Sequence, residues 1–136
     1  FFEDVYQTEW IYLSDLNENL MKFFLDTIGI DVHYCKMSEL DVEGSKSDLI
    51  LDMCLKTKAN MFVFGSLGSN YVDVSKFEDH GIKMYFQDYM HPQYPQLFDG
   101  FVSHLSIVDL LFNCGPKTLD VLISNNETYE LISRKL

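Results

Sequence analysis

A short apolar run that ends abruptly at a glycine places the strongest constraint on the fold. The segment reads "NMFVFG": Met61–Phe64 carry no polar side chain, and Gly65 follows them directly. A continuous apolar run of this length, bounded by turn-forming residues, is typical of a parallel strand covered on both faces. We therefore predict a buried strand between Asn60 and Gly65.

Segments with helical and strand-like patterns alternate on both sides of this run. Apolar residues recur at helical spacing after Ser14 and Asp15, which are candidate caps, and Gly29 suits the end of that helix. The remaining predicted elements are a strand over 30–35, a helix over 47–58, helical turns over 72–81, a strand over 82–87, and helices over 105–114 and 116–125. This alternation predicts an α/β fold: a three-layer sandwich with a small, mostly parallel sheet and crossover helices.

Length and charge limit the function classes. The 136 residues suit a single domain, and a first residue that is Phe1 indicates a piece of a longer protein. A formal net charge of -11 without a basic cluster argues against binding nucleic acid or anionic membranes. No apolar run is long enough to span a membrane, so we expect no membrane insertion and a cytoplasmic location.

The cysteines and histidines show no metal-binding pattern. Cys35, Cys54 and Cys114 are widely spaced, and no CxxC or Cys/His spacing typical of zinc is present. We predict that all three cysteines are free thiols and that the protein has no metal site. The residues identify no cofactor.

The loop "GSLGSNY" is the first candidate site. Ligands of open parallel sheets bind beyond the carboxyl ends of the strands, and this loop follows such a strand. Its glycine spacing matches neither a P-loop nor a dinucleotide fingerprint. A plain turn between strand and helix is the alternative. The candidate ligand contacts here are Gly65, Ser66, Ser69, Asn70 and Tyr71.

The loop "HPQYPQLF" is the second candidate, because it follows the last predicted strand and Pro92 and Pro95 restrict it. If the strands are parallel, it starts at the same sheet edge as the Gly65 loop. A rigid connector, in which the tyrosine only packs, is the alternative. The candidate ligand contacts are His91, Gln93, Tyr94 and Gln96.

The segment "LSIVDLLFN" is the third candidate. Ser106 and Asp109 have the spacing of a capping box, and we favour this interpretation for Asp109. The alternative is a helix that begins earlier, with Asp109 binding a sugar hydroxyl or a substrate ammonium from inside a pocket. Asn113 lies one helical turn further on, and lining the same pocket and a solvated or capping role are equal alternatives for it.

Most of the chain resembles the C-terminal half of the WbqC family. The phrases that carry the resemblance are the Gly/Ser loop with its tyrosine, "F..HGI", "HP.YPQ" and "LSIVDLLFNCG". The family's opening "QP.Y.P" strand is not in this sequence. The resemblance implies a role in bacterial surface polysaccharide (O-antigen) biosynthesis, linked to the modification of amino sugars.

Two functions are compatible with this resemblance. The first is a transferase that modifies a nucleotide-linked amino sugar, with the candidate residues of all three segments contacting that substrate. The second is a non-catalytic module that binds a sugar nucleotide or a partner enzyme. The resemblance identifies no catalytic residue, so whether the chain is an enzyme stays open at this point.

Overall fold

The computed structural model of the protein describes residues 1–135. They form two compact units: Phe1–Val32 with Pro92–Leu122, here called the helical unit, and His33–His91 with the residues from Ile123 onward, here called the sheet unit. The expectation of a single domain stays a prediction. The helices are α1 (Phe2–Gln7), α2 (Leu13–Ile28), α3 (Ser47–Lys56), α4 (Val74–Glu78), α5 (Ile107–Cys114), α6 (Thr118–Ile123) and α7 (Tyr129–Lys135), and the strands are β1 (Met61–Gly65) and β2 (Lys83–Gln87).

The sheet unit contains a parallel pair of strands. β1 and β2 pair from Met61 opposite Lys83 to Gly65 opposite Gln87, so both strands end at the same edge. The chain between them forms a 3-10 helix over Ser66–Asn70 and then α4. This strand–helix–strand arrangement confirms the predicted α/β class and the parallel pairing of these two strands.

The core of the sheet unit lies on the Phe64 side of the strands. Val63, on the other face of β1, is 49% exposed, so the prediction of a strand covered on both faces is wrong. Leu51 and Cys54 of α3, Phe64 of β1 and Phe77 of α4 are buried together with Ile82. The Phe64 ring stacks on Phe86 at 5.4 Å between centroids and meets Phe77 edge to face at 6.1 Å. Complete burial of one such side chain contributes about 1.5–3 kcal/mol, so this cluster fixes α3 and α4 on the sheet.

Aromatic rings join the helices of the helical unit. Phe2 of α1 contacts Phe23 at 5.6 Å and Phe24 at 6.2 Å, both on α2, and Phe112 of α5 at 6.1 Å. The Trp10 indole N–H donates to the Val5 carbonyl at 2.9 Å, which ties the connection between α1 and α2. These contacts hold α5 in place through its outer face as well as through the buried Leu110.

Two predictions about local structure are wrong. Residues 30–35 form no strand, because they are largely exposed and no neighbouring strand offers them hydrogen bonds. The sheet of the described residues is thus two-stranded, and the three-layer arrangement stays a prediction. Neither Ser14 nor Asp15 caps α2: Tyr12 occupies that position without a side-chain bond, whereas Gly29 ends the helix in the left-handed conformation as predicted.

Gly68 packs so closely on Phe64 that a larger residue cannot fit without movement. A Cβ atom at Gly68 would lie 2.6 Å from the Phe64 Cβ, whereas a Cβ at Gly65 would meet open space. We expect Gly68→Ala to lower the free energy of unfolding by about 1–3 kcal/mol. The matched control Gly65→Ala should change it by less than about 1 kcal/mol. Urea denaturation measures both, and equal losses would contradict this packing argument.

The three cysteines are free and differ in exposure: Cys35 is exposed, Cys114 is half-buried and Cys54 is buried. Burial raises the pKa of the Cys54 thiol. The thiolate is the reactive form of cysteine, so we expect Cys35 to react first with a chromogenic disulfide reagent and Cys54 last. The reaction of Cys54 should become faster at alkaline pH. Cys35→Ser should remove the fast phase. Fewer than three reactive thiols after denaturation without reductant would show that a disulfide is present.

Candidate functional site

Tyr94 anchors the loop that follows His91. Pro92 and Tyr94 are buried, and the Tyr94 ring meets Phe101 edge to face at 5.4 Å between centroids. The Tyr94 hydroxyl donates to Asp109 Oδ2 at 2.8 Å. Burial, followed by this hydrogen bond to the carboxylate, raises the pKa of the Tyr94 hydroxyl. The tyrosine therefore connects the proline-rich loop to helix α5.

Ser106 and Asp109 lie at the start of α5, but they do not form a capping box. The Ser106 side chain accepts a hydrogen bond from the Val108 N–H at 3.3 Å, so Ser106 is the N-cap. The Asp109 carboxylate is directed to other partners, and the capping-box interpretation of Asp109 is wrong. The S-x-x-D spacing locates the helix start correctly, yet it carries no information on what approaches the carboxylate from the loop.

Three side chains donate hydrogen bonds to the Asp109 carboxylate. Tyr94 and Gln96 share Oδ2, the Gln96 amide at 3.1 Å. Asn113 donates to Oδ1 at 3.2 Å and to the Asp109 carbonyl at 2.8 Å. A carboxylate offers about four acceptor positions, so one position on Oδ1 has no donor among the described residues. This position can accept a hydrogen bond from a ligand.

The Gln96 amide also closes the loop over 97–101. Its Nε2 donates to the Val102 carbonyl at 2.9 Å, and its Oε1 accepts from the Val102 N–H at 2.8 Å. With the bond to Asp109, both amide hydrogens of Gln96 have acceptors within the protein. In this arrangement Gln96 positions Asp109 and the loop.

Gln96, Asp109 and Asn113 form one wall of a cavity of about 450 Å³ within the helical unit. This volume lies in the range of roughly 300–1,000 Å³ that small-molecule sites occupy. Phe98 and Phe112 are 82% and 72% exposed at its rim, although both are large apolar side chains. The complete lining consists of Gln96, Leu97, Phe98, Asp99, Gly100, Val102, Leu105, Asp109, Phe112 and Asn113.

The structure thus brings together four of the predicted site residues, Tyr94, Gln96, Asp109 and Asn113. Sequence reasoning missed Leu97, Phe98, Asp99 and Phe112. Leu97 and Phe98 are adjacent apolar residues directly after Gln96 in an otherwise polar segment, and this pattern was a signal that could have indicated them.

The other predicted site residues lie elsewhere. Ser66, Ser69 and Asn70 are exposed residues of the 3-10 helix after β1, in which the Ser69 hydroxyl donates to the Ser66 carbonyl at 3.3 Å. Tyr71 is 59% exposed and contacts the Phe64 ring at 6.4 Å. Gly65 ends β1 with an exposed backbone. Ligand binding by this segment stays a prediction.

His91 and Gln93 flank the beginning of the proline-rich loop. His91, half-buried in the sheet unit, meets the Tyr89 ring edge to face at 6.2 Å. Gln93 is exposed in the helical unit. A role of either residue in ligand binding stays a prediction. Over the part of the chain that the structure describes, no three His, Cys, Asp or Glu side chains are grouped as metal ligands.

The structure is that of an α/β protein whose helical unit contains a cavity lined in part by a hydrogen-bonded carboxylate. Residues 1–121 match the model of the WbqC-like protein family, and the chain belongs to that family. None of the helices within residues 1–135 has the length and hydropathy needed to cross a bilayer.

A relative with a similar sequence is the uncharacterized protein Rv1507c of Mycobacterium tuberculosis. It is 31% identical over 111 residues, which are 81% of this chain and 48% of the relative. The chain therefore spans about half the length of that curated relative. No solved structure matches the chain.

The bond from Tyr94 to Asp109 can be tested by its coupling and its pH dependence. Tyr94→Phe and Asp109→Asn should each lower the free energy of unfolding, and the double variant should lose about 1 kcal/mol less than the sum. Because the Tyr94 pKa is raised in the folded protein, its contribution is complete below the ordinary tyrosine pKa and is lost as pH rises above it.

Urea denaturation at about pH 9 and about pH 10.5 measures this effect. Stability should fall more steeply with pH in the parent protein than in Tyr94→Phe. Additive single-variant effects together with equal pH slopes would contradict the proposed hydrogen bond. Ser106→Ala serves as the control, because it removes the N-cap, at a cost of about 1 kcal/mol, without altering the carboxylate.

Proposed function

We propose that the protein binds the sugar part of a nucleotide-linked amino sugar in the Asp109 cavity and modifies it as a transferase. The observation that carries this proposal is the Asp109 carboxylate, fixed by three donors and with an acceptor position left for a ligand. Hydrogen-bonding groups held in place before binding lose little entropy when the ligand arrives.

The composition of the cavity supports a sugar as the ligand. A pyranose ring has an apolar C–H face and a polar edge of hydroxyl or amino groups. Phe98 and Phe112 offer apolar surface at the rim, and Asp109 and Asn113 offer polar atoms at the wall. A site that combines a mostly apolar lining with a few fixed polar groups is typical of small-molecule recognition.

Family membership supports the biological setting of the proposal. The WbqC family resemblance implies work on amino sugars in bacterial surface polysaccharide assembly, including the O-antigen of lipopolysaccharide. The curated relative carries no described function and adds nothing on this point. The contacts predicted for Gly65–Tyr71, His91 and Gln93 are kept as part of this proposal and are testable separately.

A non-catalytic binding module is the second candidate function. The observation that favours it is the lining of the cavity: among its described residues there is no serine, cysteine, histidine or lysine that could act as a nucleophile. Asp99 and Asp109 are the titratable groups of that lining. In this case the protein presents a sugar nucleotide to a partner enzyme.

Binding of a nucleotide-linked amino sugar to the full-length protein tests the proposal. Asp109→Asn should weaken binding about tenfold or more, because a charge-assisted hydrogen bond is replaced by a weaker one. Asp120→Asn is the matched control, since it removes a carboxylate from the exposed side of α6, outside the cavity lining. Equal affinity of both variants and the parent would refute the cavity as the binding site.

The same samples distinguish the two functions. The sugar nucleotide is incubated with the full-length protein and a small-molecule extract of bacterial cells, and its mass is followed. A mass gain that requires the protein and is reduced in Asp109→Asn supports the transferase. Binding without a mass change supports the module.

A further inference from the structure

We propose that the Asp109 cavity selects a ligand with a protonated amine, and that phosphate groups of the ligand stay outside it. This inference rests on the proposed function for the assignment of the cavity as the binding site. The inference specifies the charge of the ligand group that enters the cavity. A neutral sugar hydroxyl and an ammonium are thereby distinguished, although both can donate to a carboxylate.

The charges of the lining favour a cation. Asp99 and Asp109 both line the cavity, and no lysine, arginine or histidine does so among the described residues. Asp99 is exposed, and its carboxylate has no hydrogen-bond partner among these residues. A positively charged group of a ligand is stabilised beside the two carboxylates, and a negatively charged group is destabilised there. A diphosphate is therefore excluded from this surface.

The hydrogen bonds around Asp109 do not neutralise it. Its three donors are a phenol and two amides, which carry no formal charge. The carboxylate thus retains a full negative charge with one acceptor position unused. An ammonium carries a positive charge and three donors, so it can donate to that position and form an ion pair with the Asp109 carboxylate.

The apolar rim supports the same ligand. Phe98 and Phe112 are more than two-thirds exposed beside the carboxylate wall, and Leu97 is 83% exposed. Aromatic faces attract a nearby cation and also cover the C–H surface of the ligand that carries it. The rim and the wall together match a small cationic molecule with an apolar face. A protonated amino sugar has both properties.

Titration with simple sugars, followed by NMR shifts of the lining residues, tests the inference. Glucosamine, glucose and N-acetylglucosamine share the ring and differ at one substituent. This substituent is a protonated amine in glucosamine and a neutral group in the other two. Glucosamine should bind at least about tenfold more tightly than the other two. Asp109→Asn should abolish this preference, Asp99→Asn should reduce it, and the control Asp120→Asn should keep it.

Cyclohexylamine and inorganic pyrophosphate separate failure of this inference from failure of the proposed function. Equal binding of glucose and glucosamine overturns the amine preference but leaves a sugar site. Asp109-dependent binding of cyclohexylamine without any sugar binding supports the amine site and refutes the sugar function. Strong shifts of the lining residues with inorganic pyrophosphate, which carries no sugar, overturn the exclusion of phosphate. No shift with any of the probes refutes both. Asp99→Asn keeps the test valid if Asp109→Asn unfolds, because the Asp99 side chain makes no bond within the described protein.

Discussion

The hydrogen bonds of the Asp109 carboxylate attach the proline-rich loop to α5, and the polar wall of the cavity depends on them. The carboxylate lies in the first turn of α5, where the helix dipole favours a negative charge. It also accepts from a loop tyrosine, a loop glutamine and an asparagine of its own helix. A single carboxylate therefore sets the position of the loop relative to the helix, and the cavity lies between this loop and α5.

The polar residues of the "HPQYPQ" loop have unequal roles in this arrangement. Tyr94 and Gln96 donate their hydrogen bonds to other groups of the protein, so they hold Asp109 and the loop in place instead of offering donors to a ligand. Asp109 retains capacity for a partner from outside. The chemical character of the pocket thus depends on the Asp99 and Asp109 carboxylates and on the aromatic rim more than on the hydrogen-bonding groups of Tyr94 and Gln96.

Sequence patterns predicted those elements whose cause is local. The apolar run before Gly65, the glycine end of α2 and the serine cap of α5 all follow from residues close in the chain. The strand over 30–35 failed, since a strand needs a neighbour that no local pattern reveals. Asp109 was assigned to a cap for the same reason: its partners Tyr94 and Gln96 are 15 and 13 residues away, and spacing alone cannot show a contact made by a returning loop.

The Gln96 side chain pairs with both backbone groups of Val102, as a neighbouring strand would. The two ends of the loop are therefore joined by bonds that do not involve the five residues between them. Substitutions at positions 97–100 can alter the loop side of the rim without removing these bonds, whereas Phe101 packs on Tyr94. The loop side of the rim can thus change while the Gln96 bonds and the carboxylate wall stay the same, as a replaceable cover on a fixed frame.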